Sequence, residues 1–288
     1  MATASEESDG SRLSAGVGAV ADWAYRLLVY GVLLFTVAPL VVVVLLSFRP
    51  NPYGNSVFSA GWPSTTWYAN LPDLLASLGF ASSLIASLKI AVVTTILSLL
   101  IGGLAAYAIV RKEFSYSSLL ETVLISPLVY PWLLMSLAIL MTASYLSGAF
   151  DVRISMSFST LLAGHVLFTF PYPIRTIGAG LQNYDDELDE AARNLGATRL
   201  DTVWNVTLPL LRPGIISGAA FVFILSFNQY IISLFLSGTS IQTVPLLMFN
   251  LIKAQSPPQI AVLGTMLMAG MVALTIVVEY VAGMSRYI

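Results

Sequence analysis

Cysteine is missing from all 288 residues, and charged residues make up only 10% of them. The first absence excludes a disulfide framework, an iron–sulfur cluster and any thiolate metal site. The second excludes an ordinary soluble domain, in which about 25% of residues are charged. Histidine occurs once, at His165, too few for a histidine metal centre without clustered carboxylates. Only three lysines occur, Lys89, Lys112 and Lys253, preceded by Leu, Arg and Ile. None can complete the G-x-x-x-x-G-K-[ST] loop that cradles nucleotide phosphates. The chain is therefore read as no ATPase, and any ATP hydrolysis must come from another polypeptide. A formal charge of −2 gives no general attraction to nucleic acid.

What the sequence has instead is long apolar runs: 57% of its residues are hydrophobic, with a mean hydropathy of +0.83. A helix needs roughly 20 apolar residues to cross a hydrocarbon core about 30 Å thick. Six such segments are drawn, at about 25–47, 83–110, 117–141, 159–178, 213–236 and 259–283. Backbone amides in lipid must be satisfied within a segment, so each is expected as a helix. The fold class is an all-α membrane protein with six transmembrane helices, and no cofactor or metal is expected. Residues 1–24 are expected as a flexible tail, and the first apolar run is too long for a secretory signal core. Residues 25–288 are the membrane domain. Trp62, Trp67 and Tyr68 in the first loop suit a membrane interface.

Arginine and lysine orient this bundle. With the N-terminus inside, Arg12, Arg26, Arg111, Lys112, Arg175, Arg193, Arg199, Arg212 and Arg286 fall inside, against Arg49, Arg153 and Lys253 outside. The positive-inside rule thus puts both termini and the loop at 179–212 in the cytoplasm of a cell-membrane protein.

That loop holds ELDEAARNLGATRLDTVWNVTLPLLRPG, residues 187–214. Asp185 or Asp186 is expected to cap a helix beginning near Glu187. Leu188, Ala191, Ala192 and Leu195 share one face, and Asp189 faces Arg193 one turn on. Gly196 supplies a left-handed stop. Thr198 with Asp201 spells a capping box opening a second short helix, which carries Val203, Trp204 and Thr207 along one side and ends at Pro209. Local physics leaves open whether this element docks a partner or packs on its own bundle.

Glu190-Ala191-Ala192, three residues, Gly196, nine residues, then Val206-Thr207-Leu208-Pro209 resembles the EAA motif of binding-protein-dependent ABC importer permeases. The one departure is Val206 in place of Ile. The resemblance implies a type I importer permease bundle whose coupling helix sits in a cleft of a separate ATP-binding subunit. It assigns Glu190, Ala191, Ala192, Gly196, Leu208 and Pro209 to that coupling contact. It also implies a second permease subunit, a different chain by the subfamily's habit, and an extracellular or periplasmic solute-binding protein. The stretches SFNQYIISLFLSG and TVPLLMFNLIKAQSPPQIAVLGT are most similar to the spermidine/putrescine permease subfamily. Polyamine permeases often carry acids where this chain has Asn228 and Gln229, and sugar permeases place an Asn near this point, so polyamine, sugar and other small organic solutes stay open.

A secondary carrier is the alternative from a different class. It would be expected to show intramembrane acids, and Glu121 and Glu279 lie near the cytoplasmic ends instead. Asn228, Gln229 and Tyr230 in the fifth apolar run either line the translocation path or bond between helices. Lys89, in the second run, either gates or snorkels outward. Buried, it would cost roughly 2.5–3.5 kcal/mol without a partner or water. His165 is read as packing. Gly102, Gly103, Gly214 and Gly218 are read as places of close helix approach.

Overall fold

The computed structural model describes residues 3–50, 58, 61–111, 116–151, 156–239, 241–254 and 257–282. Lys112, Arg153, Arg286, most of the first loop's start at 51–60, and Gln255-Ser256 of the loop before the last apolar run lie outside the described residues. In chain order the helices are α1 (Thr3–Ser47), α2 (Thr66–Ala69), α3 (Leu71–Ser77), α4 (Phe80–Arg111), α5 (Ser117–Ile125), α6 (Trp132–Phe150) and α7 (Phe158–Thr169). They continue with α8 (Pro171–Gln182), α9 (Glu187–Asn194), α10 (Arg199–Thr202), α11 (Leu208–Phe227), α12 (Ile231–Leu236), α13 (Val244–Lys253) and α14 (Pro257–Ala282). The described residues form no β-strand.

Among the described residues, five helical stretches are long and apolar enough to cross a membrane: Asp22–Ser47, Phe80–Arg111, Trp132–Phe150, Arg199–Phe227 and Pro258–Tyr280. The remaining expectations need correction. The run at 117–141 is not one helix: α5 gives way to a single 3₁₀ turn, Ser126–Leu128, and Pro131 precedes α6. Pro127 and Pro131 cannot donate to a helical ladder, so the chain breaks there. The run at 159–178 is two 12-residue helices, α7 and α8, which meet at Pro171 for the same reason. The run at 213–236 begins earlier than expected and breaks at Asn228–Tyr230, between α11 and α12. Helix α1 itself starts at Thr3 and meets no proline before Pro39.

Two compact units divide the chain, residues 1–70 with 256–267 and residues 71–255 with 268–288. In the first, the chain after α1 folds back on the helix end. The Trp67 indole donates to the Arg49 carbonyl at 2.9 Å and the Tyr68 hydroxyl to Ser47 Oγ at 2.7 Å. Trp62 reaches the Leu45 carbonyl at 3.4 Å. Of the aromatics expected at an interface, Trp62 thus reaches a carbonyl in the last turn of α1, where the helix leaves carbonyls without intrahelical partners, while Trp67 and Tyr68 tie down the residues at and just past its end.

In the second unit α4, α8 and α11 form the tightest packing. A Cβ built on Gly102 would lie 2.6 Å from the Phe170 carbonyl oxygen and 2.8 Å from Pro173 Cβ. One on Gly214 would lie 2.7 Å from the Thr176 carbonyl oxygen, and one on Gly218 2.6 Å from Thr176 Oγ1. Lipid tails are as apolar as leucine, so helices associate through close van der Waals contact and hydrogen bonds rather than through a hydrophobic drive. Glycine maximises that contact. Ala106, Ile177, Leu181 and Leu211 fill the rest of this interface. A second cluster, Ile90, Met135, Leu161, Phe168, Ile232 and Leu236, joins α4, α6, α7 and α12.

Candidate functional site

The elbow between α8 and α11 is built from local signals. Asp185 Oδ1, two residues ahead of the helix start, accepts the Glu187 amide at 3.0 Å. Asp185, Asp186, Glu187, Asp189 and Glu190 crowd the positive end of the α9 dipole. At the other end Gly196 takes φ +93°. Its amide bonds the Arg193 carbonyl at 3.0 Å and the Ala197 amide bonds that of Ala192 at 3.1 Å. This pair is a Schellman stop, which requires a residue free to adopt positive φ. Thr198 and Asp201 then form both halves of the capping box: Thr198 Oγ1 accepts from the Asp201 amide at 3.2 Å, and Asp201 Oδ2 from the Thr198 amide at 3.0 Å. Thr198→Ala is expected to cost about 1 kcal/mol of local helix stability, with Thr198→Ser largely neutral. Amide exchange over residues 199–202 checks this: equal protection in the Ala and Ser variants would discount the cap.

Two expectations fail here. The second helix does not end at Pro209. It widens into one π-helical turn, Val203–Thr207, where the Leu208 amide reaches back to the Val203 carbonyl, and runs on as α11. Proline lacks the amide for an i−4 bond and collides with that carbonyl, and a turn widened by one residue relieves both problems. Leu208 and Pro209 therefore open α11. Asp189, for its part, does not pair with Arg193 through its carboxylate: Arg193 Nε bonds the Asp189 carbonyl at 3.2 Å.

The Asp189 carboxylate turns instead to Tyr184 and Arg111, a link the sequence did not reveal. Arg111 ends α4 and pairs with Asp186, and with Asp189 at 3.5 Å. Its guanidinium lies 4.3 Å from the centre of the Tyr184 ring, and the Tyr184 hydroxyl donates to Asp189. Burial, and then the Asp189 hydrogen bond, raise the Tyr184 phenol above its ordinary value, while Thr207 and Arg111 oppose the shift. It stays a donor at neutral pH.

On the opposite side α9 is bare. None of its residues is buried. Glu190, Ala191 and Gly196 are exposed and Ala192 is half-buried. Leu195 is 90% exposed and Trp204 69%, with Leu188, Leu200 and Val203 also open.

The residues suggested for a path do not converge on one place. At the α11–α12 break, Asn228 is exposed and its side chain donates to the Ile224 carbonyl at 2.9 Å. Gln229 is buried and turns inward, its Oε1 accepting the Ile231 amide at 3.2 Å. Tyr230 packs on Phe249 of α13, ring centres 4.7 Å apart. Lys89, exposed on α4, lines a separate cavity of about 540 Å³ with Ser82, Thr239 and Gln242, and the described lining includes none of the other three. His165, read as packing, is more than that. Its Nδ1 lies 2.9 Å from Ser226 Oγ and its Nε2 3.4 Å from Ser233 Oγ, so one imidazole spans both sides of the break. Ser233 Oγ in turn donates to the Gln229 carbonyl at 2.9 Å. A lone His carries no spacing signal that could have announced this.

Comparison with known proteins agrees with this architecture. The family model for the binding-protein-dependent transport system inner membrane component matches residues 98–285. The spermidine/putrescine transport system permease protein PotC of Haemophilus influenzae is 31% identical over 247 residues, 84% of this chain and 90% of that protein. The putrescine transport system permease protein PotI of Escherichia coli is 32% identical over 235 residues, 81% and 82% respectively. The trehalose transport system permease protein SugB of Mycobacterium tuberculosis is 28% identical over 207 residues, 71% and 72%. In fold, the chain is similar to a chain in the crystal structure of a bacterial ABC transporter involved in the import of the acidic polysaccharide alginate. The TM-score is 0.61 at 16% identity, covering 93% of this chain and 96% of that one. Multi-pass apolar helices, an EAA-type elbow and a family match over most of the chain lead to one assignment: this protein belongs to the binding-protein-dependent transport system inner membrane component family.

Proposed function

We propose that this chain is the permease subunit of an ATP-driven importer, a non-enzymatic membrane component that forms a solute path and takes its energy from separate ATP-binding subunits. In this reading six membrane crossings are made, with α7 and α8 together providing the one that proline interrupts. Both termini and the α9–α10 elbow face the cytoplasm. Glu190, Ala191, Ala192 and Gly196 meet the ATP-binding subunit, and Leu208 and Pro209 set the start of the helix that carries the motion inward. Closure of the nucleotide-binding pair would then rock the bundle as a rigid body.

The observation carrying this reading is the bare face of α9. An Asp185 bond at its start and the Gly196 stop at its end hold α9 in one geometry, and the capping box fixes α10 behind it, yet nothing among the described residues covers Glu190, Ala191 or Leu195. A pre-ordered surface loses little entropy on docking. Because the chain has no cysteine, Ala191→Cys introduces its only thiol. Co-expressed with the ATPase of its own operon, this variant is expected to crosslink to that subunit in membranes, while Phe150→Cys does not. An Ala191 thiol that reacts only with reagents confined outside the cell would refute the assignment.

A polyamine-type solute is supported by the names of the relatives, and a sugar-type solute by the similarity to SugB and by Asn228 at the helix break. Binding of putrescine, spermidine or trehalose to the operon's solute receptor decides between them. A second, different permease chain and that receptor complete the expected assembly.

A further inference from the structure

We infer that Arg111 is a positioning residue for coupling, forming a second anchor that ties the elbow helix α9 directly to the membrane helix α4. The inference rests on the docking role proposed for α9, and concerns how its position reaches the bundle.

By its covalent path, α9 connects forward through Gly196, α10 and the π turn to α11. Its support beneath is thin. Leu188 borders a cavity of about 600 Å³ lined also by Gly180, Leu210, Pro213 and Gly214. Helix α9 therefore does not rest on α11 along that side. Backward, residues 183–186 join it to α8, and the Arg111 cluster adds a direct attachment to α4. Arg111 is the last residue of α4, and its side chain is only 14% exposed.

The members of this cluster differ in weight. Asp186 is 74% exposed, so solvent and salt screen its ion pair. Asp189 is 20% exposed and takes both the guanidinium and the Tyr184 hydroxyl. Arginine suits the position because a planar cation can stack on a ring while its edge meets carboxylates, which lysine cannot do. At its other side α4 is locked to α8 and α11 through Gly102 and Ala106. Displacement of α9 is thereby delivered directly to α4 as well as, by the chain itself, to α8 and α11.

Hydrogen exchange on the complete complex, permease chains with their ATPase, tests this without labels. In the wild type, trapping with ATP and vanadate is expected to change protection both in α9 and in residues 104–111 of α4. Arg111→Gln should keep the α9 response and lose the α4 response, at unchanged complex yield. Tyr184→Phe, which removes one hydroxyl, should weaken the α4 response in the same direction. An α4 response in Arg111→Gln that equals the wild-type one, or an α4 response absent from the wild type, overturns the anchor. A wild-type α9 indifferent to the presence of the ATPase overturns the docking reading instead, so the two failures are distinguishable.

Discussion

Gly102→Leu is expected to remove the folded protein from the membrane fraction, whereas Gly148→Leu leaves it there. At Gly102 even a Cβ would sit 2.6 Å from a backbone oxygen and 2.8 Å from a proline ring carbon. Neither neighbour is a flexible side-chain tip, so the α4–α8 interface must separate. Overpacking ordinarily costs about 1–3 kcal/mol, and here the obstruction is backbone in a contact that depends on close van der Waals packing. A loss above ~3 kcal/mol exceeds the usual range and consumes much of a folding free energy of about 5–15 kcal/mol. At Gly148 nothing lies within 4 Å of the added atom. Thermal unfolding in mild detergent with size-exclusion chromatography provides the comparison, and equal stability of the two variants would contradict the packing account.

The second large effect falls on transport instead of folding. Gly196→Asp and Glu190→Arg are expected to insert normally yet lower ATP-dependent uptake by more than about tenfold, equivalent to ~1.4 kcal/mol. At φ +93° Gly196 lies where L side chains are strained, by about 1–3 kcal/mol. An added carboxylate also meets the negative end of the α9 dipole. Glu190→Arg reverses a charge on the exposed face without touching the bundle. With nothing within 4 Å of a Cβ at Gly196, the damage stays in the elbow. Uptake measured in proteoliposomes beside ATP hydrolysis separates the outcomes: wild-type uptake in either variant would remove these residues from the coupling role.

The elbow was legible because its signals are local. Thr198 and Asp201 are three residues apart, the Gly196 stop closes bonds within the turn before it, and the acidic run marks a helix start. Each is decided by backbone atoms a few residues away. The first, second and last apolar runs were legible for a related reason, since length and apolarity suffice to make a helix in lipid. The breaks in the third, fourth and fifth runs, at proline or at the Asn228–Tyr230 polar stretch, are not legible in hydropathy, which registers composition and not the loss of a backbone donor. The π turn escaped because Pro209 reads as a terminator until the ladder around it is seen to widen.

The sequence by itself determined that the chain is helical, built for a membrane, without a G-x-x-x-x-G-K-[ST] phosphate loop, and marked by a short EAA-type elbow. These properties follow from composition and from short-range backbone chemistry. Only the tertiary structure decided that Arg111 meets Asp186 and Asp189, that His165 spans the break between α11 and α12, and that the described lining of the Lys89 cavity excludes Asn228. Such partners are dozens of residues distant along the chain, and no periodicity encodes their meeting. Close packing of α4, α8 and α11, permitted by Gly102, Gly214 and Gly218, sets those distances.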